Sequence, residues 1–193
     1  MYHQYREGYI EVICGCMFAG KTEELIRRIN VLSYAKQKIL VFKPKIDDRY
    51  SEIEIASHSG RKVPCYAIDD PEEILDKVTD DVQVVAIDEV QFFDSKIVDV
   101  CEYLADKGVR VMVAGLDKDF RGEAFGVMPE LLTRGEFVTK LTAVCAKCGA
   151  PAYPCICVGL VRPGKSKAAG AGRPCPAEKS GNAGGTAQAA WRC

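Results

Sequence analysis

No stretch of this 193-residue chain is apolar over the roughly 20 residues that a membrane-spanning helix needs, and no membrane partner is expected. The first residues, Met-Tyr-His-Gln-Tyr-Arg-Glu, lack the apolar segment of a secretory signal, so the expected location is cytoplasmic. An excess of charge of either sign is also missing. The 26 basic side chains face 27 acidic ones, a net charge of −1, and nothing in that balance favours nucleic acid or an anionic membrane surface. What the chain does have in quantity is cysteine, ten in all. In a small secreted protein that number would suggest disulfides, but in a reducing compartment metal binding or simple burial accounts for it better. Cys14, Cys65 and Cys101 lie in apolar segments and read as core thiols.

The length permits one α/β domain with a modest appendage. Near its start stands Gly15-Cys16-Met17-Phe18-Ala19-Gly20-Lys21-Thr22, a complete G-x-x-x-x-G-K-T phosphate-binding loop. The glycines let the backbone turn tightly and aim N–H groups at phosphate oxygens, where the following helix N-terminus adds positive potential. Lys21 is placed to neutralise β- and γ-phosphate charge, and the Thr22 hydroxyl to serve a magnesium ion. The flanks agree with this. A strand-like run, Gly-Tyr-Ile-Glu-Val-Ile-Cys, precedes the loop, and Leu25, Ile26, Ile29 and Leu32 recur after it at helical spacing.

Further strand-like runs stand at 38–43, 82–87 and 109–114, with helical patterns at 21–34, 71–78 and 95–107. Asp70-Pro71 opens the second helix, and Glu72 and Glu73 fall in its first turn. This alternation predicts an α/β fold of the P-loop NTPase-like (RecA-like) kind, a parallel sheet with helices on both faces. Ligands of such sheets bind at the carboxyl ends of the strands. The run 84–93, Val-Val-Ala-Ile-Asp-Glu-Val-Gln-Phe-Phe, ends a strand there in adjacent acids, a Walker B arrangement. Asp88 is expected in the magnesium shell, with Glu89 as general base on an attacking hydroxyl. Gln91 and Phe92 suit the orienting and stacking of a base, although an isolated pair of this kind more often serves core and surface packing. A third segment, 114–125, mixes glycines, acids, Arg121, Phe120 and Phe125. Its make-up fits a bridge to phosphate oxygens and the walls of an apolar pocket, or a turn with two core aromatics.

In this order and spacing the three segments resemble thymidine kinases of the cytosolic type II family. The family's loop reads G-P-M-F-[SA]-G-K-[ST], its acidic motif I-D-E-x-Q-F and its third motif A-G-L-D-x-D-F-R-G-x-P-F; this chain departs at Cys16 and Ala124. Smaller matches are Lys43-Pro44 with Asp48-Arg49-Tyr50-Ser51, and Ala56-Ser57-His58-Ser59-Gly60, so the likeness runs from residue 8 to 152. It implies transfer of the γ-phosphoryl group of ATP to the 5′-hydroxyl of thymidine or deoxyuridine. The loop from Gly15 to Thr22, with Asp88 and Gln91, would hold ATP and magnesium, and Glu89 would take the hydroxyl proton. Met17, Phe92, Leu116, Phe120 and Phe125 would surround the pyrimidine, with Arg121 near the phosphates. The resemblance further implies a homotetramer, feedback by dTTP, and a structural zinc ion.

The zinc site starts well and then breaks off. Cys145-x-x-Cys148 is half of a tetrahedral zinc site, but the second pair does not follow: Cys155, Cys157, Cys175 and Cys193 have the wrong spacing. From residue 159 the chain is Ala, Gly, Pro and basic residues without apolar periodicity, a composition that does not bury enough surface to fold unaided. The expected organisation is a kinase domain over 1–140, a partial zinc-binding lid over 141–158 and a low-complexity tail over 159–193. A non-catalytic ATP-binding protein would fit the lost lid. A zinc-ribbon nucleic-acid module would need the missing cysteine pair. A slip of reading frame near Tyr153 accounts for the change: translating the coding DNA in its two other frames should uncover a T-x-R segment and a downstream cysteine pair, and finding neither would dismiss the slip.

Overall fold

The four apolar runs, joined by two further strands, form a single sheet in the computed structural model, which describes residues 8–45, 54–56, 62–119, 121–144, 149 and 151–152. In chain order the elements are β1 (Tyr9–Gly15), α1 (Lys21–Tyr34), β2 (Ile39–Pro44), β3 (Glu54–Ala56), β4 (Lys62–Pro64) and β5 (Tyr66–Ile68). Then come α2 (Glu73–Lys77), β6 (Val84–Ile87), a 3₁₀ turn at Val90–Phe92, α3 (Lys96–Asp106), β7 (Arg110–Gly115), α4 (Met128–Arg134), β8 (Phe137–Leu141), β9 (Ala143–Val144) and β10 (Pro151–Ala152). The main sheet has the order β5-β2-β6-β7-β1-β8, and every pairing in it is parallel. Small antiparallel pairs β3–β4 and β9–β10 stand apart.

Residue alternation along the strands divides the core in two, as expected of a parallel sheet covered on both faces. Ile10, Val12, Val85, Ile87, Val111 and Val113 pack with Ile74 of α2, Ile97 and Leu104 of α3, and Met128 and Leu131 of α4. Their sequence neighbours Ile13, Val84, Ala86, Met112 and Ala114 face the other way, onto Leu25, Ile26, Ile29 and Leu32 of α1. Each such aliphatic side chain contributes roughly 1.5–3 kcal/mol of transfer free energy. Burial of the stripe, more than intrinsic propensity, therefore makes α1 a helix.

The predicted α1 matches the observed span, while α2 is shorter than expected. Glu73 reaches back to the N–H groups of Asp69 and Asp70, both 3.1 Å away, and Val78 is already extended. Sequence periodicity missed β5, α4 and β8. β5 has three residues, α4 has seven and opens Met128-Pro129, and β8 is an edge strand whose Phe137 and Val138 are exposed, so none carries a buried apolar run.

One polar cluster sits inside this frame. Glu11 of β1, only 5% exposed, points toward α1 and meets Arg28 at 2.8 Å and Arg110 at 2.5 Å. Arg28 also reaches Glu24 and the Thr139 hydroxyl, each at 2.8 Å, which joins α1, β1, β7 and β8. Removing one member of a buried ion cluster leaves its partners desolvated and uncompensated. Glu11→Gln is expected to lower the unfolding free energy by about 2–4 kcal/mol. Arg27→Ala, on the exposed flank of α1, should cost less than about 1 kcal/mol. Urea midpoints at unchanged slope measure both.

Candidate active site

The phosphate loop turns where the sequence supplies glycine. At Gly15 a side chain would put Cβ 2.3 Å from the Leu141 carbonyl oxygen of β8, so that strand can approach only a glycine. Gly20, at φ 84° and ψ 24°, takes the left-handed conformation that lets α1 begin at Lys21. Between them Phe18 holds a left-handed φ of 62° without being glycine. Ala19 N–H donates to the Cys16 carbonyl at 3.3 Å, and the nearly buried Lys21 ammonium donates to the same oxygen at 3.0 Å. Among the described residues no side chain caps α1, whose first-turn N–H groups have no intrahelical acceptor. Loop, ammonium and helix end thus form a cradle suited to an anion.

The acidic motif follows β6. Asp88 is 5% exposed; Thr22 Oγ1 donates to its Oδ2 at 3.0 Å and Glu89 N–H to its Oδ1 at 3.0 Å. Burial pushes the Asp88 carboxyl up to about 7, and the charge of Glu89 pushes the same way, against the Thr22 and Glu89 N–H hydrogen bonds and the Lys21 charge. A hydroxyl and a carboxylate oxygen, both hard donors at this separation, fit magnesium, whose charge would offset what burial withholds. Glu89 itself sits at φ 51° and ψ 37°, a strained conformation for a non-glycine residue and one that clusters at functional sites.

Next to it, Gln91 is buried and uses both ends of its amide within the protein. Nε2 donates to Glu89 Oε2 at 2.5 Å, and Oε1 accepts the Leu116 N–H at 3.0 Å. The Phe92 and Phe125 rings meet edge to face, centroids 5.6 Å apart at 84°, which joins the acidic motif to the third segment. Met17 and Phe18 are exposed on the loop. Arg121 is exposed in a turn organised by Asp119, whose Oδ1 accepts the N–H groups of Arg121 at 2.8 Å and Glu123 at 3.0 Å. Phe120, Cys145 and Cys148 lie outside the described residues, as do 48–51, 57–60 and the cysteines from Cys155 on. Among the described residues no group of three or more His, Cys, Asp or Glu side chains is arranged to hold a metal.

Two contacts carried no sequence signal. The Cys16 thiol donates to the Ala152 carbonyl at 3.1 Å, tying the phosphate loop to β10. Lys140 of β8 pairs at 2.7 Å with Asp117, which is buried just beyond β7. Cys14, Cys65 and Cys101 are buried thiols as expected, and burial drives Cys101 up to about 12.

A family model for thymidine kinase matches residues 8–162. The chain belongs to the thymidine kinase family. The match reaches ten residues beyond 152, where the motif-by-motif likeness ends. Similar solved structures include the ATPase DotB of Legionella pneumophila, at 17% identity and a TM-score of 0.41, covering 67% of this chain and 36% of that one. Domain III of the replication initiation protein DnaA from Thermotoga maritima matches at 16% identity and a TM-score of 0.40, covering 72% and 56%. The chain spans less than two thirds of either protein.

The raised Asp88 carboxyl has a consequence for stability. Folded protein keeps a proton that the unfolded chain releases between about pH 4 and 7, so the metal-free fold loses stability as pH rises through that window. Asp88→Asn should stabilise the magnesium-free protein at pH 8 by about 2–4 kcal/mol, and by less than half that at pH 5. Urea denaturation at the two pH values measures the difference.

Proposed function

We propose that this chain is a thymidine kinase, transferring the γ-phosphoryl group of ATP to the 5′-hydroxyl of thymidine or deoxyuridine. The observation that supports the reading is the Thr22–Asp88 hydrogen bond of 3.0 Å with Glu89 as the next residue, which brings two hard oxygen donors together beside the phosphate loop. Lys21 and the loop N–H groups hold the phosphates. Thr22 and Asp88 would hold magnesium, which would supply charge neutralisation to the phosphate chain. Glu89 takes the proton of the 5′-hydroxyl as that oxygen bonds to the γ-phosphorus and ADP departs. Met17, Phe92, Leu116, Phe120 and Phe125 surround the pyrimidine and Arg121 stands beside the phosphates, an assignment that rests on the family resemblance.

The domain reading, 1–140 for the kinase, 141–158 for a partial zinc-binding lid and 159–193 for a tail, belongs to the same proposal. So do the cytoplasmic location, the homotetramer, inhibition by dTTP and zinc at Cys145 and Cys148, all of which rest on the family resemblance and on composition. A second reading is favoured by the change of composition after residue 159: an ATP-binding protein whose nucleoside lid is lost, with weakened nucleoside binding.

The purified 193-residue chain is expected to convert thymidine to thymidine monophosphate with ATP and magnesium. Glu89→Gln should lower kcat by about 10²–10⁴-fold with little change in the KM for ATP. ATP binding without nucleoside turnover would favour the lost-lid reading instead.

A further inference from the structure

We propose that Gln91 is a positioning residue for the Glu89 carboxylate, tying that base to the backbone at the end of β7, and that its amide occupies space which a side chain at Gly115 would take. The inference rests on the kinase reading above. Gln91 is 3% exposed, and a primary amide so deeply buried is costly unless both its ends are satisfied. The orientation of that amide follows from its partners. Leu116 N–H can only donate, so it must meet Oε1, and the amide NH₂ is thereby turned toward Glu89, whose carboxylate can only accept. The opposite orientation would set donor against donor and acceptor against acceptor.

Glu89 needs such support. Its left-handed backbone persists only where the surroundings over-determine it, and two hydrogen bonds do so: Asp88 Oδ1 accepts from its N–H and Gln91 donates to its side chain. Two glycines leave room around residue 91, Gly115 beside the side chain and Gly126 beside the backbone. A Cβ on Gly115 would lie 2.6 Å from Gln91 Oε1, with Met128 Sδ at 2.7 Å and Val90 Cγ1 at 3.0 Å, and one on Gly126 would lie 2.4 Å from the backbone carbonyl oxygen of residue 91. Gly126 also has a φ of 51°. The acidic motif and the third motif are therefore locked together through Gln91, with the Phe92–Phe125 ring contact alongside. In this arrangement both ends of the amide are taken up within the protein, and the amide orients the base.

Gln91→Glu tests the idea, because it keeps the shape and the acceptor for Leu116 but presents a carboxylate oxygen to Glu89. Gly115→Ala tests it from the opposite side by taking the space and leaving the amide chemistry intact. Each variant should lose on the order of 10- to 100-fold in kcat for thymidine phosphorylation, while the KM for ATP stays within about twofold of wild type. Either variant keeping half or more of the wild-type kcat, or losing kcat only together with ATP affinity and thermal stability, would overturn the positioning role. Glu89→Gln assayed in parallel separates the two levels. If that variant is inactive and Gln91→Glu is active, the positioning role alone falls, whereas a wild-type chain that phosphorylates no nucleoside removes the kinase reading and this inference with it.

Discussion

Parallel pairing is the constraint on which the rest of the molecule depends. Because β1, β6, β7 and β8 run the same way, their carboxyl ends open on one edge, and the segments that leave those ends share a common space. Register sets the levels: Ile87 of β6 stands beside Val113 of β7, and Val113 beside Val12 of β1. Asp88 follows Ile87 directly, whereas β1 continues to Gly15 before its loop begins, so the loop folds back and returns Thr22 to the aspartate. One further strand, β8, seals the arrangement by placing the Leu141 carbonyl against Gly15, where only a glycine fits.

Charge in this space is arranged around Asp88. A carboxyl buried beside a second acid resists ionisation, and the neighbouring Lys21 and Thr22 compensate only in part. The folded chain therefore carries an electrostatic cost at the site where a divalent cation and a polyanionic phosphate chain would meet. Strain is concentrated there as well, in the left-handed backbone of Phe18 and Glu89. The opposite situation holds at Glu11, whose charge is matched by Arg28 and Arg110 and serves to join α1 to three strands. Two buried acids thus differ in role because Glu11 is paired directly with two guanidinium groups, while Asp88 stands beside a second acid that Lys21 offsets only in part.

Much of the fold was legible in the chain. The period of Leu25, Ile26, Ile29 and Leu32 reports α1, and the two-faced runs report the four central strands, because long elements that bury a continuous surface must carry its pattern. β8 and α4 were not legible: β8 is an edge strand with exposed side chains and α4 has only seven residues, so neither needs an apolar run. At the site, Lys21, Thr22, Asp88 and Glu89 could be named from local motifs whose chemistry is tied to spacing. The Gln91 amide could not be assigned its partners, since Leu116 lies 25 residues away and only packing decides that the two meet. The Cys16–Ala152 and Lys140–Asp117 contacts were hidden for the same reason.

Two kinds of information are therefore separable in this protein. The sequence by itself determined the element types of the centre, the phosphate loop, the acidic pair and the family, because these depend on neighbours along the chain and on residue chemistry that survives without a fold. Tertiary structure alone decided which strand lies beside which, how far each projects, and which polar atoms are taken up inside the protein. Those outcomes depend on hydrogen-bonding and exclusion between residues far apart in sequence, and a list of residues does not contain the distances that govern them.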